Sequence, residues 1–357
     1  MTDLAEIYRS FAQPAFDMTD KTVLITGGTG SFGKAFVEHL IKRHKPRRII
    51  IFSRDELKQH DLSLKYPSSD YPYLRFFIGD VRSADRLEMA MRDVDYVVHA
   101  AAMKQVGAAE YNPLECVHTN IFGAENVIRA AMRTGVEKVI ALSTDKAANP
   151  INLYGASKLA SDKIFINGNY LSGSRGTRFS VVRYGNVVGS RGSVVEVFRD
   201  MIEQGRDSLP ITDERMTRFW ISLSQATNFV ESCFSMMAGG EVFIPKIPSM
   251  TVLELTEALA PGMPTHIIGI RAGEKLHETM IPSEDCRTAY DVGDRYIIES
   301  ILDLPIASVV ERFGDRAKLV ADGFAYTSDA NTEWLERDAL RDLLKSKNML
   351  PKIQSSD

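Results

Sequence analysis

The sequence contains no long hydrophobic run, no paired cysteines and no excess of charge of one sign. No apolar stretch reaches the ~18 residues that a membrane-spanning helix needs, so we expect no membrane span. Cys116, Cys233 and Cys286 stand far apart without metal-ligand spacing, which indicates buried reduced thiols, a cytoplasmic protein and no metal site. The net charge of −4 offers no basic surplus, which argues against nucleic acid as a partner.

Chain length and composition are those of a globular protein. The 357 residues are 44% hydrophobic and 25% charged, which fits one large domain with a smaller companion rather than a disordered chain. The N-terminal residues include Asp3 and Glu6 and contain no apolar core, so they do not have the pattern of a signal peptide. We expect residues 1–18 to form an N-terminal extension with one helix from Leu4 to Phe11.

Short apolar runs alternate with stretches of helical periodicity in the first half of the chain. Each run is rich in β-branched or aromatic residues and is bounded by turn residues, as expected for strands buried on both faces. The pattern predicts an α/β fold with a Rossmann-type, doubly wound parallel sheet. The predicted strands cover residues 21–26, 47–52, 74–78, 95–99, 138–142 and 179–183, and the clearest helical stretches cover 112–134 and 154–169.

The composition changes after residue 186, where glycine, arginine and then proline become frequent. We therefore expect a dinucleotide-binding Rossmann domain over residues 19–186, to which part of 212–244 returns. A smaller, partly interleaved substrate-binding lobe is expected from 187–211 and 245–340. The polar tail, 341–357, is expected to fray.

A glycine-rich turn follows the first predicted strand and precedes the first predicted helix. Gly27, Gly30 and Gly33 follow the spacing G-x-x-G-x-x-G, which lets the backbone approach a pyrophosphate bound at the helix N-terminus. An NAD site usually has an acidic residue about twenty positions further on, but this chain has Ser53 followed by Arg54. A hydroxyl and a guanidinium suit a 2′-phosphate, so NADP is favoured. The alternative for Arg54 is a solvent-exposed arginine at the start of a helix.

Two later strand ends also face the expected cofactor. Asp80 follows the third strand, where its carboxylate either meets the adenine amino group or caps the helix that starts near Ser83. Both alternatives stay open. Ala100 and Ala101 end the fourth strand, and their small side chains allow a flat cofactor to lie against the backbone.

The fifth strand and the following helix carry the candidate catalytic residues. Thr144, Asp145 and Lys146 stand at the carboxyl end of that strand, where open α/β sheets bind ligands. Tyr154 and Lys158 are four residues apart and share one helix face. A lysine ammonium beside a tyrosine favours the phenolate, so we expect the pKa of Tyr154 to be lowered towards working pH. Such a tyrosine can accept a proton from a sugar hydroxyl.

These motifs resemble those of the extended short-chain dehydrogenases/reductases. More narrowly, they are similar to the inverting UDP-N-acetylglucosamine 4,6-dehydratases (5-epimerising) that begin pseudaminic acid synthesis. The similarity covers about residues 21–280, and Asp145-Lys146 together with Tyr154 is typical of the inverting group, whereas retaining relatives carry Asp-Glu. The segments that carry it include TGGTGSFGKAF, FSRDELKQ, FFIGDVR, ALSTDKAANPINLYGASKLASDK, FSVVRYGNVVGSRGSV and IGIRAGEKLHE.

The resemblance implies an NADP-dependent lyase that acts on UDP-N-acetylglucosamine and forms a homo-oligomer, from a dimer to a hexamer. Tyr154 would take the C4 hydroxyl proton, with Lys158 and Thr144 supporting it. Lys146 would act as the base at C5, with its pKa lowered by a cationic neighbour, and Asp145 as the acid for the C6 hydroxyl, with its pKa raised by burial. The alternatives are a nucleotide-sugar epimerase or a retaining 4,6-dehydratase on the same fold and, more remotely, a non-catalytic NADP-binding protein.

The resemblance also implies two sets of contact residues. The cofactor candidates lie at the glycine turn and at successive strand ends: Gly27, Thr29, Gly30, Ser31, Phe32, Gly33, Ser53, Arg54, Lys58, Asp80, Val81, Ala100, Ala101, Lys104, Tyr154, Lys158, Tyr184 and Asn186. The substrate candidates include arginines suited to a diphosphate and a glutamate suited to a ribose: Lys104, Asn186, Val187, Arg191, Thr212, Arg218, Arg271 and Glu274.

Overall fold

A large parallel sheet forms the centre of the molecule, whose computed structural model describes residues 8–173, 176–302 and 306–351. Its parallel strands run in the spatial order β3-β2-β1-β4-β5-β6-β10. The order reverses between β1 and β4, which is where a Rossmann sheet binds its ligand. The predicted fold class is thus confirmed. The strands are β1 (Thr22–Thr26), β2 (Arg48–Ser53), β3 (Leu74–Ile78), β4 (Tyr96–His99), β5 (Lys138–Thr144), β6 (Arg178–Tyr184) and β10 (Val242–Pro245).

Helices cover both faces of this sheet and bury its apolar strands, of which β1 is buried at every residue. One predicted helix, 112–134, is interrupted by a π-helical turn at His118–Phe122. The interruption accompanies Asn120, whose side chain bonds the backbone of Met103 at both N (2.8 Å) and O (3.0 Å). The helices are α1 (Ser31–Arg43), α2 (Glu56–Lys65), α3 (Ala84–Ala90), α4 (Val106–Tyr111), α5 (Pro113–Val117), α6 (Gly123–Thr134), α7 (Leu153–Ser172) and α9 (Leu223–Met236).

The second lobe carries short strands and its own apolar core, which includes Trp220, Met250 and Leu255. Within the described residues its strands pair as β11-β9-β7, β12-β8 and β13-β17. Its elements are β7 (Asn186–Val187), α8 (Val194–Glu203), β8 (Leu209–Ile211), β9 (Thr217–Ile221), β11 (Ser249–Thr251), α10 (Val252–Leu259), β12 (Thr265–Ile267), β13 (Thr279–Ile281), β17 (Tyr326–Thr327) and α12 (Arg337–Ser346).

Part of the segment assigned to the substrate lobe returns to the main sheet. The antiparallel strands β14 (Ala289–Asp291), β15 (Arg295–Ile298) and β16 (Lys318–Leu319) extend the sheet beyond β10, and α11 (Val309–Phe313) lies between the last two. Val242 pairs with Ile298 across the β10–β15 ladder. The assignment of all of 245–340 to the substrate lobe is therefore wrong for these strands, because their backbone groups complete the edge of the main sheet. The other predicted boundaries stay predictions.

The C-terminal tail begins within a packed helix, whereas the sequence predicts that it frays. Helix α12 buries Leu340, Leu343 and Leu344, whose i, i+3, i+4 spacing places them on one face. They join the core of the second lobe with Leu255 and Leu259 of α10. The prediction of a frayed tail is wrong for this part of the chain, and residues 352–357 lie outside the described residues.

The N-terminal extension is held in place without a helix in its described part. Residues 1–7 lie outside the described residues, and the predicted helix is wrong for Tyr8–Phe11, whose backbone is not helical. Side chains of α9 bond this backbone instead, because Gln225 Nε2 donates to Arg9 O at 2.9 Å. Phe11 packs edge-on against Phe229 of the same helix, with ring centroids 5.1 Å apart.

The sequence also predicts the state of the cysteines and the lack of a membrane span. All three cysteines are buried and free, as the sequence predicted. Among the described residues, none of the helices combines the length and the apolar character needed to cross a membrane.

Candidate active site

A cavity of about 1350 Å³ opens at the carboxyl ends of the parallel strands. Its wall contains every predicted cofactor and substrate candidate, together with Thr144, Lys146, Tyr154 and Lys158. Asp145 is absent from the wall because its side chain is fully buried. The strand-end positions and the loops of the second lobe therefore bring the predicted residues to one site.

The glycine turn forms a close-packed cradle at one end of the cavity. Gly27 has φ +65°, and a Cβ there would lie 2.8 Å from Ala101 N. A Cβ on Gly33 would lie 2.5 Å from Gly28 Cα. Helix α1 begins directly after this turn and has no acidic residue in its first turn. Its N-terminal dipole and free backbone N–H groups thus face a space that suits a pyrophosphate.

The end of β2 carries polar side chains beside the cradle. Ser53 Oγ lies 2.7 Å from Thr29 Oγ1, which fixes its hydroxyl next to the glycine turn. Arg54 is exposed, and its Nη1 lies 3.5 Å from Asp80 Oδ2. The guanidinium is therefore available to an anion at the rim. Lys58 forms an ion pair with Asp55, the residue that caps α2.

Asp80 does not cap the helix that follows it. Ser83 is the N-cap of α3 and accepts the N–H of Arg86, whereas Asp80 bonds the side chain and backbone N–H of Arg82. The capping alternative is therefore wrong, because Ser83 already occupies that position. The alternative contact with adenine stays a prediction, since Asp80 does line the cavity.

The predicted catalytic residues meet at the end of β5. Residues Asp145–Ala147 form a 3₁₀ turn that follows Thr144, and Thr144 Oγ1 donates to Asp145 Oδ1 at 2.9 Å. Lys146 Nζ donates to the same Oδ1 at 3.1 Å. Tyr154 and Lys158 lie on α7, whose N-terminus is capped by Asn152. The turn and the helix thus present their side chains to the same part of the cavity.

The pKa of Tyr154 runs against the sequence-based expectation. Burial raises it to about 12, although the nearby Lys146 charge and the hydrogen bond to Thr144 oppose the rise. Lys158 is buried, and its own pKa is lowered by that burial. In the protein alone the desolvation of the phenol outweighs the cationic neighbours, so the predicted lowering is wrong for this state.

The Asp145–Lys146 pair has an unexpected third member, Glu278. Its Oε1 lies 2.9 Å from Lys146 Nζ, and the residue is buried. Burial alone would lower the pKa of Lys146, but the carboxylates of Asp145 and Glu278 outweigh it and raise that pKa. The predicted lowering of the Lys146 pKa is therefore wrong. The pKa of Asp145 is raised, as predicted, by burial and then by the charge of Glu278.

Glu278 was missed because the sequence offers two acids in one motif. Gly273 to Glu278 reads GEKLHE, and Glu274 was singled out while Glu278 was not. The available signal was its position directly before the short apolar strand β13, because a buried acid at a strand end needs a cationic partner. Glu274 itself accepts from Thr212 Oγ1 at 3.2 Å, nearer the rim.

The arginines predicted to clamp a diphosphate differ in their surroundings. Arg218 is buried, and its Nη1 donates to the carbonyls of Thr217 (2.7 Å) and Leu276 (3.1 Å). These bonds hold Arg218 against the second lobe in the protein alone, and its contact with a diphosphate stays a prediction, since Arg218 lines the cavity. Arg271 is exposed at the rim and keeps donors for an anion.

A loop of the second lobe reaches the glycine turn. Arg191 N donates to Ser31 Oγ at 3.0 Å, and Lys104 Nζ donates to Arg191 O at 2.7 Å. Asn152 Nδ2 also donates to Gly273 O at 2.8 Å across the cavity. The two lobes are thus joined directly over the proposed ligand site.

The comparisons with known proteins agree with this geometry. The family described as polysaccharide biosynthesis protein matches residues 23–300. A UDP-N-acetylglucosamine 4,6-dehydratase (inverting) of Campylobacter jejuni is 56% identical over 91% of this chain and 97% of its own length. A UDP-glucose 4-epimerase of Rickettsia canadensis is 42% identical over 92% and 96%. The X-ray structure of Pen from Bacillus thuringiensis is 36% identical, with a TM-score of 0.83, over 94% of this chain and 100% of that one. The resemblance noted from the motifs is thus confirmed, and the chain belongs to the polysaccharide biosynthesis protein family of extended short-chain dehydrogenases/reductases.

Proposed function

We propose that this protein is an NADP-dependent UDP-N-acetylglucosamine 4,6-dehydratase that inverts C5. The product would be UDP-2-acetamido-2,6-dideoxy-β-L-arabino-hex-4-ulose, formed by loss of one water. The contact between Lys146 Nζ and Asp145 Oδ1, beside Tyr154, is the observation that carries the proposal. The relative with that name and 56% identity supports the same substrate.

The cradle fits a nicotinamide dinucleotide. A side chain on Gly27 or Gly33 would meet the protein backbone at less than 3 Å, so only glycine permits the tight turn that brings the N-terminus of α1 to the cavity. Ser53 and the exposed Arg54 suit a 2′-phosphate, which supports NADP. When bound, a nicotinamide cofactor would supply reversible hydride exchange with C4 and then C6, so no net oxidation would occur.

Tyr154 takes the proton of the C4 hydroxyl. Its hydrogen bond with Thr144 orients the phenol, Lys146 adds positive charge nearby, and Lys158 lines the same cavity. Burial holds the pKa of Tyr154 at about 12 in the protein alone, and the charge of Lys146 and the hydrogen bond to Thr144 oppose this rise and favour the phenolate. The C4 ketone that results makes the C5 hydrogen acidic.

Asp145 and Lys146 then carry the dehydration. A proton that passes from Lys146 Nζ to Asp145 Oδ1 along their 3.1 Å hydrogen bond leaves a neutral amine and a neutral carboxylic acid. The amine is the base that removes the C5 proton, and the acid protonates the departing C6 hydroxyl. Return of a proton to the opposite face of C5 by Lys146 gives inversion.

We also propose that the protein forms a homo-oligomer and is cytoplasmic. Tyr111 and Leu114 are large apolar residues exposed on α4 and α5, which supports a homo-oligomer from dimer to hexamer. The free buried cysteines support a cytoplasmic location. The family resemblance supports the proposal that the reaction begins pseudaminic acid synthesis.

The test is incubation of the purified protein with UDP-N-acetylglucosamine and no added cofactor. We expect a product lighter by one water, with inverted C5 by NMR and deuterium at C5 when the solvent is D₂O. Tyr154→Phe is the matched control and should yield no product. A product of unchanged mass would indicate an epimerase instead, and retained C5 configuration would indicate a retaining dehydratase.

A further inference from the structure

Glu278 reaches the catalytic pair from the opposite lobe. Its backbone is fixed next to β13, because Glu278 N donates to Ser328 Oγ at 2.9 Å and Ser328 N donates to Glu278 O at 2.9 Å. Ser328 Oγ in turn lies 2.6 Å from Thr217 Oγ1 on β9. The carboxylate is therefore held by the folded core of the second lobe and not by a mobile side chain at the rim.

The Lys146 ammonium lies between two buried carboxyl groups. It is 2.9 Å from Glu278 Oε1 and 3.1 Å from Asp145 Oδ1, and Arg218 Nε lies 3.7 Å from the same Glu278 oxygen. Among the described residues, Asp145 Oδ2 and Glu278 Oε2 are buried without a hydrogen-bond partner. Such orphaned acceptors are costly in a protein interior, which indicates that they await a group brought by the substrate or a transferred proton.

We propose that Glu278 is a positioning residue of this site, which fixes the Lys146 amine beside Asp145 and sets the charge from which the pair exchanges protons. The inference rests on the proposed function. Glu278 lines the cavity and contacts Lys146 Nζ, and its effect on the reaction passes through Lys146 and Asp145. Among the described residues, the charged or titratable groups that act on the trio of Asp145, Lys146 and Glu278 are Tyr154 from α7, Arg218 from β9, and Lys275 from the segment before β13.

The charges of the trio predict the direction of the effect. Glu278 adds one negative charge, which together with that of Asp145 raises the pKa of Lys146. The pKa of Asp145 is raised mainly by burial, and the charge of Glu278 raises it further. The pKa of Glu278 is itself lowered, because Lys146 and Arg218 outweigh its burial. Removal of this charge therefore lets Asp145 and Lys146 release their protons at lower pH.

The experiment is the pH dependence of kcat for Glu278→Gln against the unmodified enzyme. Both limbs should move to lower pH by about one unit or more, since the base and the acid lose the same anionic neighbour. Glu278→Asp keeps the charge and should leave the limbs near their original positions while lowering kcat. Glu274→Gln, in the same GEKLHE motif, should change KM without moving the profile. A lower kcat for Glu278→Gln with unmoved limbs would overturn the proposal.

A second measurement separates this inference from the proposed function. In protein labelled with ¹³C at aspartate carboxyl carbons, the Asp145 signal is identified by its loss in Asp145→Asn. It should titrate at lower pH in Glu278→Gln than in the unmodified protein, with no substrate present. An unchanged midpoint overturns the inference even if the enzyme dehydrates its substrate, and a shifted midpoint upholds it even if another UDP-sugar is the substrate.

Discussion

Two buried clusters in this molecule are each built around a glutamate, and they differ in what surrounds them. Glu231 of α9 accepts from His39 Nε2 of α1 and from His44 Nε2, the latter at 3.2 Å. Met18 N donates to His44 Nδ1 at 3.4 Å, so the cluster also holds the N-terminal extension. The Glu278 cluster opens on the cavity and, among the described residues, contains carboxylate oxygens without hydrogen-bond partners. The Glu231 cluster is enclosed by helices, and its carboxylate oxygen accepts from both histidine rings.

The enclosed cluster has the composition of a metal site but the hydrogen bonding of a structural one. His39, His44 and Glu231 bring their ligand atoms within 4.8 Å of one another. Because Met18 N–H points at His44 Nδ1, that nitrogen carries the lone pair and the proton of a neutral ring lies on Nε2, facing Glu231. In this tautomer the His44 ring donates to the Glu231 carboxylate, which is the hydrogen bonding of a structural cluster. The buried carboxylate of Glu231, which has hydrogen-bond partners, therefore contributes to stability, whereas the buried carboxylate of Glu278, which keeps an oxygen without one, is suited to chemistry.

Lys146→Ala should give the largest effect, at the open cluster. Turnover should fall by about 10³-fold, since the variant lacks the group that exchanges protons with both Asp145 and the substrate. The amount of nicotinamide dinucleotide released on denaturation should equal that of the unmodified protein because the cradle is untouched. Lys163→Ala, at an exposed position of the same chain, is the control and should keep full activity. Full activity of Lys146→Ala would show that Lys146 does not transfer protons in this reaction.

Glu231→Gln should act on stability and leave chemistry alone. Glu231 has a pKa of about 2, because its hydrogen bonds to His39 and His44 outweigh burial, against an ordinary 4.5. A depressed carboxyl pKa stabilises the fold above the ordinary value, and this contribution is lost as pH falls from about 4.5 towards about 2. At pH 7 the variant should lose about 3 kcal/mol of unfolding free energy in urea titrations. The deficit should shrink across that acidic window.

The control for this prediction is a glutamate in an exposed pair. Glu125→Gln, which removes an i, i+4 contact with Arg129 at 3.5 Å, should change the unfolding free energy by about 0.5 kcal/mol or less. The activity per folded molecule of Glu231→Gln should equal that of the unmodified protein. A deficit that persists unchanged at pH 2 would show that packing, and not ionisation, explains the loss.

The parallel half of the fold was predictable because local pattern and tertiary position agree there. A strand buried on both faces is a continuous apolar run, and the glycine turn demands its residues, so β1 and Gly27 could be placed from sequence alone. The second lobe was harder because its strands are short. β13 has three residues, and no period is visible in three residues.

The missed features share one physical cause, which is dependence on distant partners. Glu278 matters because Lys146 lies against it, although they are far apart in sequence, and the same holds for Glu231 with His39. The Tyr154 pKa was misjudged in the same way, because desolvation is a property of the folded site. Composition and spacing report residue type and local period, and neither reports burial of a charge.

Arg54→Ala should give a smaller effect, at the exposed rim of the open cavity. The preference for NADP over NAD should fall by about tenfold, since one charge-assisted contact to the 2′-phosphate is lost from a solvent-exposed side chain. Dissociation constants of both nucleotides for refolded apoprotein give the measurement. Arg82→Ala removes the other arginine on Asp80 and should leave the ratio unchanged. An unchanged ratio of the two dissociation constants in Arg54→Ala would indicate that Ser53 and Lys58, rather than Arg54, contact the 2′-phosphate.

Arg9→Ala should give the smallest effect, a small loss of stability, because its partner Glu333 is neither enclosed by helices nor in the cavity. Both guanidinium nitrogens contact Glu333 at 2.5 Å, and the two side chains are 29% and 30% exposed. A paired geometry in a half-buried place is worth about 1 kcal/mol, between the values for Glu231 and Glu125. A double-mutant cycle with Glu333→Gln should return that coupling energy, and Arg215→Ala, whose pair with Asp213 is exposed, should cost nothing measurable. A coupling energy of zero would mean that burial of Phe11 and Met18, with the hydrogen bond from Gln225 Nε2 to Arg9 O, holds the extension without the ion pair.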